Sequence, residues 1–244
     1  MATVAPQRFV EPSAERRFYS RMAIFMVAVV FLGFAPSFYL RGYVTVPRPN
    51  PTLPPMLILH GLLFTLWMLV FVAQTQLVAA GRRDLHIKLG SAALVLAVAL
   101  IPLMYLVAVW QVERANQMPF TTPLNWSIVP LALIPAYAVL LWNGWNRRRD
   151  GQWHKRMMLG AALVMMDPAI GRTPLPPILP FFALSNLLAV ATFVPLLMWD
   201  KRSLGRIHPA TLFALAVVVL MHLVRLAFLA TGSWEPIARH LPGV

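Results

Sequence analysis

The chain alternates long apolar runs with short polar ones. A helix needs about 20 apolar residues to cross a hydrocarbon core about 30 Å thick. Seven stretches approach that length. The first runs from Met22 to Leu40 without a charge, the second from Pro54 to Ala80, the third from Leu89 to Trp110 and the fourth from Trp126 to Trp145. The fifth starts at Met157 and is short or bent, because it meets Asp167-Pro168 and then Gly171 and Pro174. The sixth runs from Ile178 to Trp199 and the seventh from Pro209 to Ala230. Runs this apolar suit a polytopic membrane protein, whose lipid-facing helices need no polar face. The pattern predicts an all-α, polytopic membrane protein, a seven-transmembrane-helix bundle over residues 22–230, with an N-terminal segment 1–21 and a tail 231–244.

Composition agrees. Of 244 residues, 59% are hydrophobic and 12% charged, against about 25% charged in an average soluble domain. Mean hydropathy is +0.68. Disorder, coiled coil and an ordinary water-soluble enzyme are excluded. The absence of cysteine excludes disulfides, thiolate metal sites, iron–sulfur clusters and Cys nucleophiles. The net charge of +13 is better explained by basic loops drawn to anionic lipid headgroups than by nucleic acid, for which only net charge speaks. The polar segment before the first span is too long for a cleaved signal peptide, so the first span reads as an anchor.

Charge asymmetry orients the bundle. One side collects Arg8, Arg16, Arg17 and Arg21; Arg82, Arg83 and Lys88; Arg147, Arg148, Arg149, Lys155 and Arg156; and Lys201, Arg202 and Arg206. The other has Arg41, Arg48, Arg114, Arg172 and Arg239. That bias predicts a cytoplasmic N-terminus and an external C-terminus. Trp110, Trp126, Trp145, Trp199 and Trp234 fall at span ends, as an interfacial belt requires.

Three basic loops share a pattern. GRRDLHIKLG from Gly81, DGQWHKRMMLG from Asp150 and LGRIHPATL from Leu204 each place a His where a helix leaves the basic side. The first two also end in Leu-Gly. An old duplication or generic interfacial snorkelling accounts equally for the likeness.

The depths of the histidines carry the candidate chemistry. His86, His154 and His208 lie at the basic interface; His60 is near the outer end of span two and His222 in the outer half of span seven. His240, in the tail, is expected to be solvated. His208 and His222 are fourteen residues apart, about 21 Å along one helix face. His60 with His222, and two of His86, His154 and His208, would then form two stacked bis-His sites, the arrangement that haem b ligation requires. Against this, His208 before Pro209 reads equally as a helix N-cap, and His222 as interhelical glue. His60, Trp67 and Gln74 are spaced by seven along span two, a polar seam in which Trp67 packs on a cofactor ring or the Gln and Thr residues serve as glue. Asp167 and Arg225 lie inside spans. They pair with each other, or Arg225 meets a haem propionate.

The stretch LHGLLFTLWMLVFVAQTQLVAAGRRDLHIKLG, with WHKRMMLGAALVMMDPAIGR and GRIHPAT, resembles a widespread family of uncharacterised bacterial seven-helix inner-membrane proteins, from the RRFYSRM opening to span seven. More distantly, over spans two to five, it is similar to di-haem b-type cytochromes that reduce ferric or ascorbate-radical substrates across membranes. That resemblance rests on His60, His86 and His154. It implies bis-His haem b, transmembrane electron transfer, a bacterial inner-membrane location and a quinol or other electron donor as partner. The chain departs from the cytochrome pattern in its seven spans, its extra basic-loop His and its lack of a donor motif.

Two further readings stand beside the haem-binding redox protein. One is a zinc-dependent membrane hydrolase with His86, His154 and His208 on one ion and Asp84, Asp150 or Asp200 as fourth ligand or base. The other is a non-enzymatic transporter, sensor or assembly factor built on a His and Asp167 polar network.

Overall fold

The computed structural model describes residues 11–44, 52–115, 120–173 and 181–244. Residues 1–10 of the N-terminal segment, Arg8, Arg48, Pro174 and the expected sixth-span start at Ile178 lie outside the described residues. Among the described residues every regular element is helical. Among the described residues six helical stretches, some of them interrupted, are long and apolar enough to cross a membrane; the expected fifth span is not among them.

Helix α1 (Pro12–Phe34) runs on into a short π-helical turn (Ala35–Tyr39). It starts ten residues before the expected span. Pro12 suits the first helical position, where the missing N–H costs nothing, so ERRFYSR is an extension of the span and not a separate segment. Helix α2 (Pro55–Ala79) matches the expected span within a residue at each end. Leu59, Leu62, Leu66 and Leu69 are exposed along one of its faces, and Trp67, Met68 and Phe71 are buried on another. A water-soluble helix would not leave that leucine stripe uncovered; lipid covers it.

Gly81, at φ +75°, turns the chain sharply into α3 (Arg83–Glu113), which carries Pro102 inside it. The fourth span is broken into α4 (Pro123–Trp126), α5 (Ile128–Leu131) and α6 (Leu133–Asn146). Pro130 and Pro135 supply no N–H to the preceding turn, which accounts for the interruptions. A short turn leads to α7 (Gly151–Ile170). It starts six residues before the expected Met157, because the Asp150 side chain accepts from the N–H groups of Gln152 and Trp153 and caps the helix there. It carries through Asp167-Pro168 to Ile170. The sixth stretch is two helices, α8 (Phe181–Ala191) and α9 (Val194–Leu204), with Pro195 in the first turn of α9. Helix α10 (Pro209–Thr231) is followed by α11 (Trp234–Ala238) in the tail.

Helix α7 is central. It packs against α1, α6, α8 and α10, and nearly every residue from Arg156 to Ile170 is buried. Gly33 of α1 lies where an added Cβ would come within 2.2 Å of the Ala169 carbonyl oxygen, so the α1 and α7 backbones are nearly in contact. The tail is tied down as well. Trp234 Nε1 donates to Ser127 Oγ, Tyr105 donates to the Pro242 carbonyl, and Thr122 donates to Glu235. His240 is exposed.

Candidate functional site

Two hairpins place the first two loop histidines side by side. His86 is the fourth residue of α3 and His154 the fourth residue of α7. Each follows a tight turn from the preceding helix. Their ring centroids are 6.2 Å apart and their planes cross at 82°. His208 does not join them. It is the residue before α10, its Nδ1 accepts from the Ala210 N–H, and its own N–H donates to Asp200 Oδ2. It therefore caps α10. Burial and the nearby Arg156 hold its ring below the ordinary imidazole range.

Both paired rings have Nδ1 engaged. His154 Nδ1 donates to the Gly144 carbonyl at 2.8 Å. The Gln74 amide can satisfy its neighbours in one orientation only. Its nitrogen lies 2.5 Å from His86 Nδ1 and 3.1 Å from the His86 carbonyl oxygen, and its oxygen accepts from the Gly90 N–H at 2.7 Å. The reverse orientation would set oxygen against oxygen and N–H against N–H.

Both histidines line a cavity of about 1080 Å³ between α1, α2, α3, α6 and α7. Trp67 forms part of its apolar wall; it is buried and packs edge-on against Tyr137 at 5.8 Å. The rim carries Arg16, Arg83, Arg148, Arg149 and Lys155 against Glu15 and Asp150. Lys155 pairs with Glu15. Arg16, Arg83 and Arg149 make no ion pair with any described residue. The rim is therefore cationic.

The other expected site residues lie elsewhere. His60, on α2, lies beside Phe64 with ring centroids 4.4 Å apart and planes tilted by 35°. His222, on α10, donates from Nδ1 to Asn186 Oδ1 at 2.6 Å, and its Nε2 is 3.9 Å from Asp167 Oδ1. Helix α2 packs against α1 and α3, whereas α10 packs against α6, α7 and α8. Among the described residues no hydrogen bond or ring contact joins His60 to His222 or to a second imidazole. Arg225 donates to Asp167 Oδ2 at 2.6 Å, so the two charges inside the apolar stretches pair with each other. Arg225 is not among the cavity residues.

One charged pair was missed in the sequence. Arg156 and Asp200 form an ion pair with both side chains fully buried. Gln152 accepts from Arg156, and Thr211 donates to Asp200. Asp200 is thereby committed to Arg156, Thr211 and His208 and not to a metal. Among the described residues no group of three His, Asp or Glu side chains could hold a metal ion.

No family model, curated protein or solved structure matches this chain.

Proposed function

We propose that the protein is a haem-b-binding integral membrane redox protein of the bacterial inner membrane, with one bis-His site at the basic end of the bundle. The His86–His154 pair carries this reading. Two imidazoles that share one metal ion, with metal–nitrogen distances of about 2.0–2.1 Å, have ring centres on the order of 6 Å apart, and this pair lies at 6.2 Å. Ligand cavities run to about 1,000 Å³, and this one, about 1080 Å³, has room for a macrocycle. Its cationic rim complements two propionates, a role that falls to Arg16, Arg83 and Arg149 and not to Arg225. The His154 Nδ1–H to carbonyl bond is the outer-shell contact that orients a ligating imidazole.

Haem b held by two imidazoles would supply a one-electron couple with no open coordination position. The residues around it would bind, orient and exclude water, while a quinol or another membrane donor supplies the electron. The topology that goes with this reading has seven spans, α7 included, with the basic end in the cytoplasm. Zinc hydrolysis has less support, since it needs a third ligand and His208 is engaged in capping.

The test is an absorption spectrum of the detergent-purified protein from cells supplied with a haem precursor. One haem per chain with a reduced-minus-oxidised Soret shift is expected. His86→Ala and His154→Ala should abolish it, whereas His60→Ala and His222→Ala should keep it. Stoichiometric zinc without iron, or no Soret band, overturns the reading.

A further inference from the structure

Gln74 does more than fill space beside His86. Its amide nitrogen, which can only donate, faces His86 Nδ1, and its oxygen is held by the Gly90 N–H. A neutral His86 then carries its proton on Nε2. His154 is the opposite tautomer, because a carbonyl accepts from its Nδ1 and leaves a lone pair on Nε2. A neutral pair held in this way has a proton on His86 Nε2 and a lone pair on His154 Nε2. Only His154 is ready to coordinate.

We infer that Gln74 is a positioning residue that latches His86 in its non-coordinating tautomer. This inference rests on the haem reading for its consequence but not for its geometry. Releasing the latch means turning the amide over, so that its oxygen accepts from His86 Nδ1–H. The turned amide would put that oxygen against the His86 carbonyl and its nitrogen against the Gly90 N–H, exchanging two good contacts for two bad ones. Gly90 belongs to the same device. A Cβ there would lie 3.3 Å from the amide atom that faces the Gly90 N–H, so a larger residue would crowd the amide at its present seat. The Leu-Gly that closes the first basic loop thus has a local use: it leaves room for the Gln74 side chain.

A carboxylate at position 74 would do the reverse. It accepts from both Gly90 N–H and His86 Nδ1–H, at the cost of one oxygen against the His86 carbonyl, and so leaves His86 Nε2 unprotonated and more basic. Gln74→Leu removes the bond without replacing it.

The experiment has two readouts on full-length protein in detergent. The first is the nitrogen NMR spectrum of protein labelled with ¹⁵N-histidine and free of haem, with His86→Ala used to assign the signal. His86 is expected to carry its proton on Nε2 in the wild type and on Nδ1 in Gln74→Glu. The second is haem titration and the midpoint potential. Gln74→Glu is expected to bind haem on the order of 10-fold or more tightly and at a lower potential, with Gln74→Leu in between. A wild-type His86 protonated on Nδ1, or unchanged tautomer in Gln74→Glu, overturns the latch whatever haem does. Tautomer exchange without haem uptake in any variant leaves the latch standing and overturns the haem reading. Tautomer exchange with unchanged haem affinity and potential overturns the positioning role assigned to Gln74.

Discussion

Arg156 on α7 and Asp200 on α9 meet with both side chains fully buried. Thr211 and the His208 N–H complete the carboxylate's partners, and Gln152 those of the guanidinium. Removing one partner of such a pair strands the other charge in a dry site. Asp200→Ala is therefore expected to cost about 3–5 kcal/mol. The double replacement Arg156→Met with Asp200→Leu should cost markedly less, because no bare charge remains. Thermal unfolding in detergent compares the two. Equal loss in both variants would mean that the pair holds the helices by its charge and not merely by being satisfied.

The near-contact of α1 and α7 at Gly33 gives a second expectation. Gly33→Ala pushes a methyl into the Ala169 carbonyl, and the helices must separate. Overpacking of this kind costs about 1–3 kcal/mol. Gly42→Ala, with nothing within 4 Å of the added carbon, should leave the unfolding midpoint unchanged. A Gly33→Ala midpoint equal to that of Gly42→Ala would show that α1 yields easily.

The His208 cap makes stability depend on pH. Its Nδ1 can accept from Ala210 only when the ring is neutral. Its folded value is lowered, first by burial and then by Arg156, while the unfolded chain protonates near the ordinary value of about 6.5. Below that value the unfolded state binds more protons. The stabilisation is therefore complete above it and is lost as pH falls through it towards the lowered folded value. His208→Asn caps without titrating. The stability difference between wild type and His208→Asn should shift against the wild type as pH is taken from about 8 to about 5.5. A difference that does not move with pH would rule out the titrating cap.

The proposed topology can be read from two cysteines, since the chain has none of its own. Arg149 and Ser233 are both exposed, at the α6–α7 turn and just beyond α10. An impermeant maleimide should label Ser233→Cys in intact cells and Arg149→Cys only after permeabilisation. Reversed labelling inverts the bundle; labelling of both from one side removes α7 from the spans.

The long apolar runs were legible because hydrocarbon length and helix rise leave little choice. Helix α2 departs from its expected bounds by a single residue at each end. The starts of α1 and α7 were not legible from hydropathy, because Pro12 and Asp150 set them by backbone chemistry and not by apolarity. His86 and His154 could be singled out as equivalents, since both end in the same Leu-Gly pattern. The two-level pairing of His60 with His222 needed knowledge of which helices are neighbours, and one-dimensional spacing carries none. Arg156 was hidden in a basic run in which Arg147, Arg148 and Arg149 are exposed. A faint signal existed: from Met157 onward α7 has no polar face, so a residue one position earlier was already at the edge of the buried part.

The charges of α7 also bear on how the chain is made. Synthesis runs from the N-terminus, and Arg156 and Asp167 leave the ribosome before the residues that neutralise them. Asp200 follows Arg156 by 44 residues and Arg225 follows Asp167 by 58. For that interval the innermost helix carries two naked charges and little apolar surplus. Both charges gain these partners only once α9 and α10 have been made. The order of translation thus makes α9 and α10 the gatekeepers of assembly, and a chain truncated before them would strand its own centre.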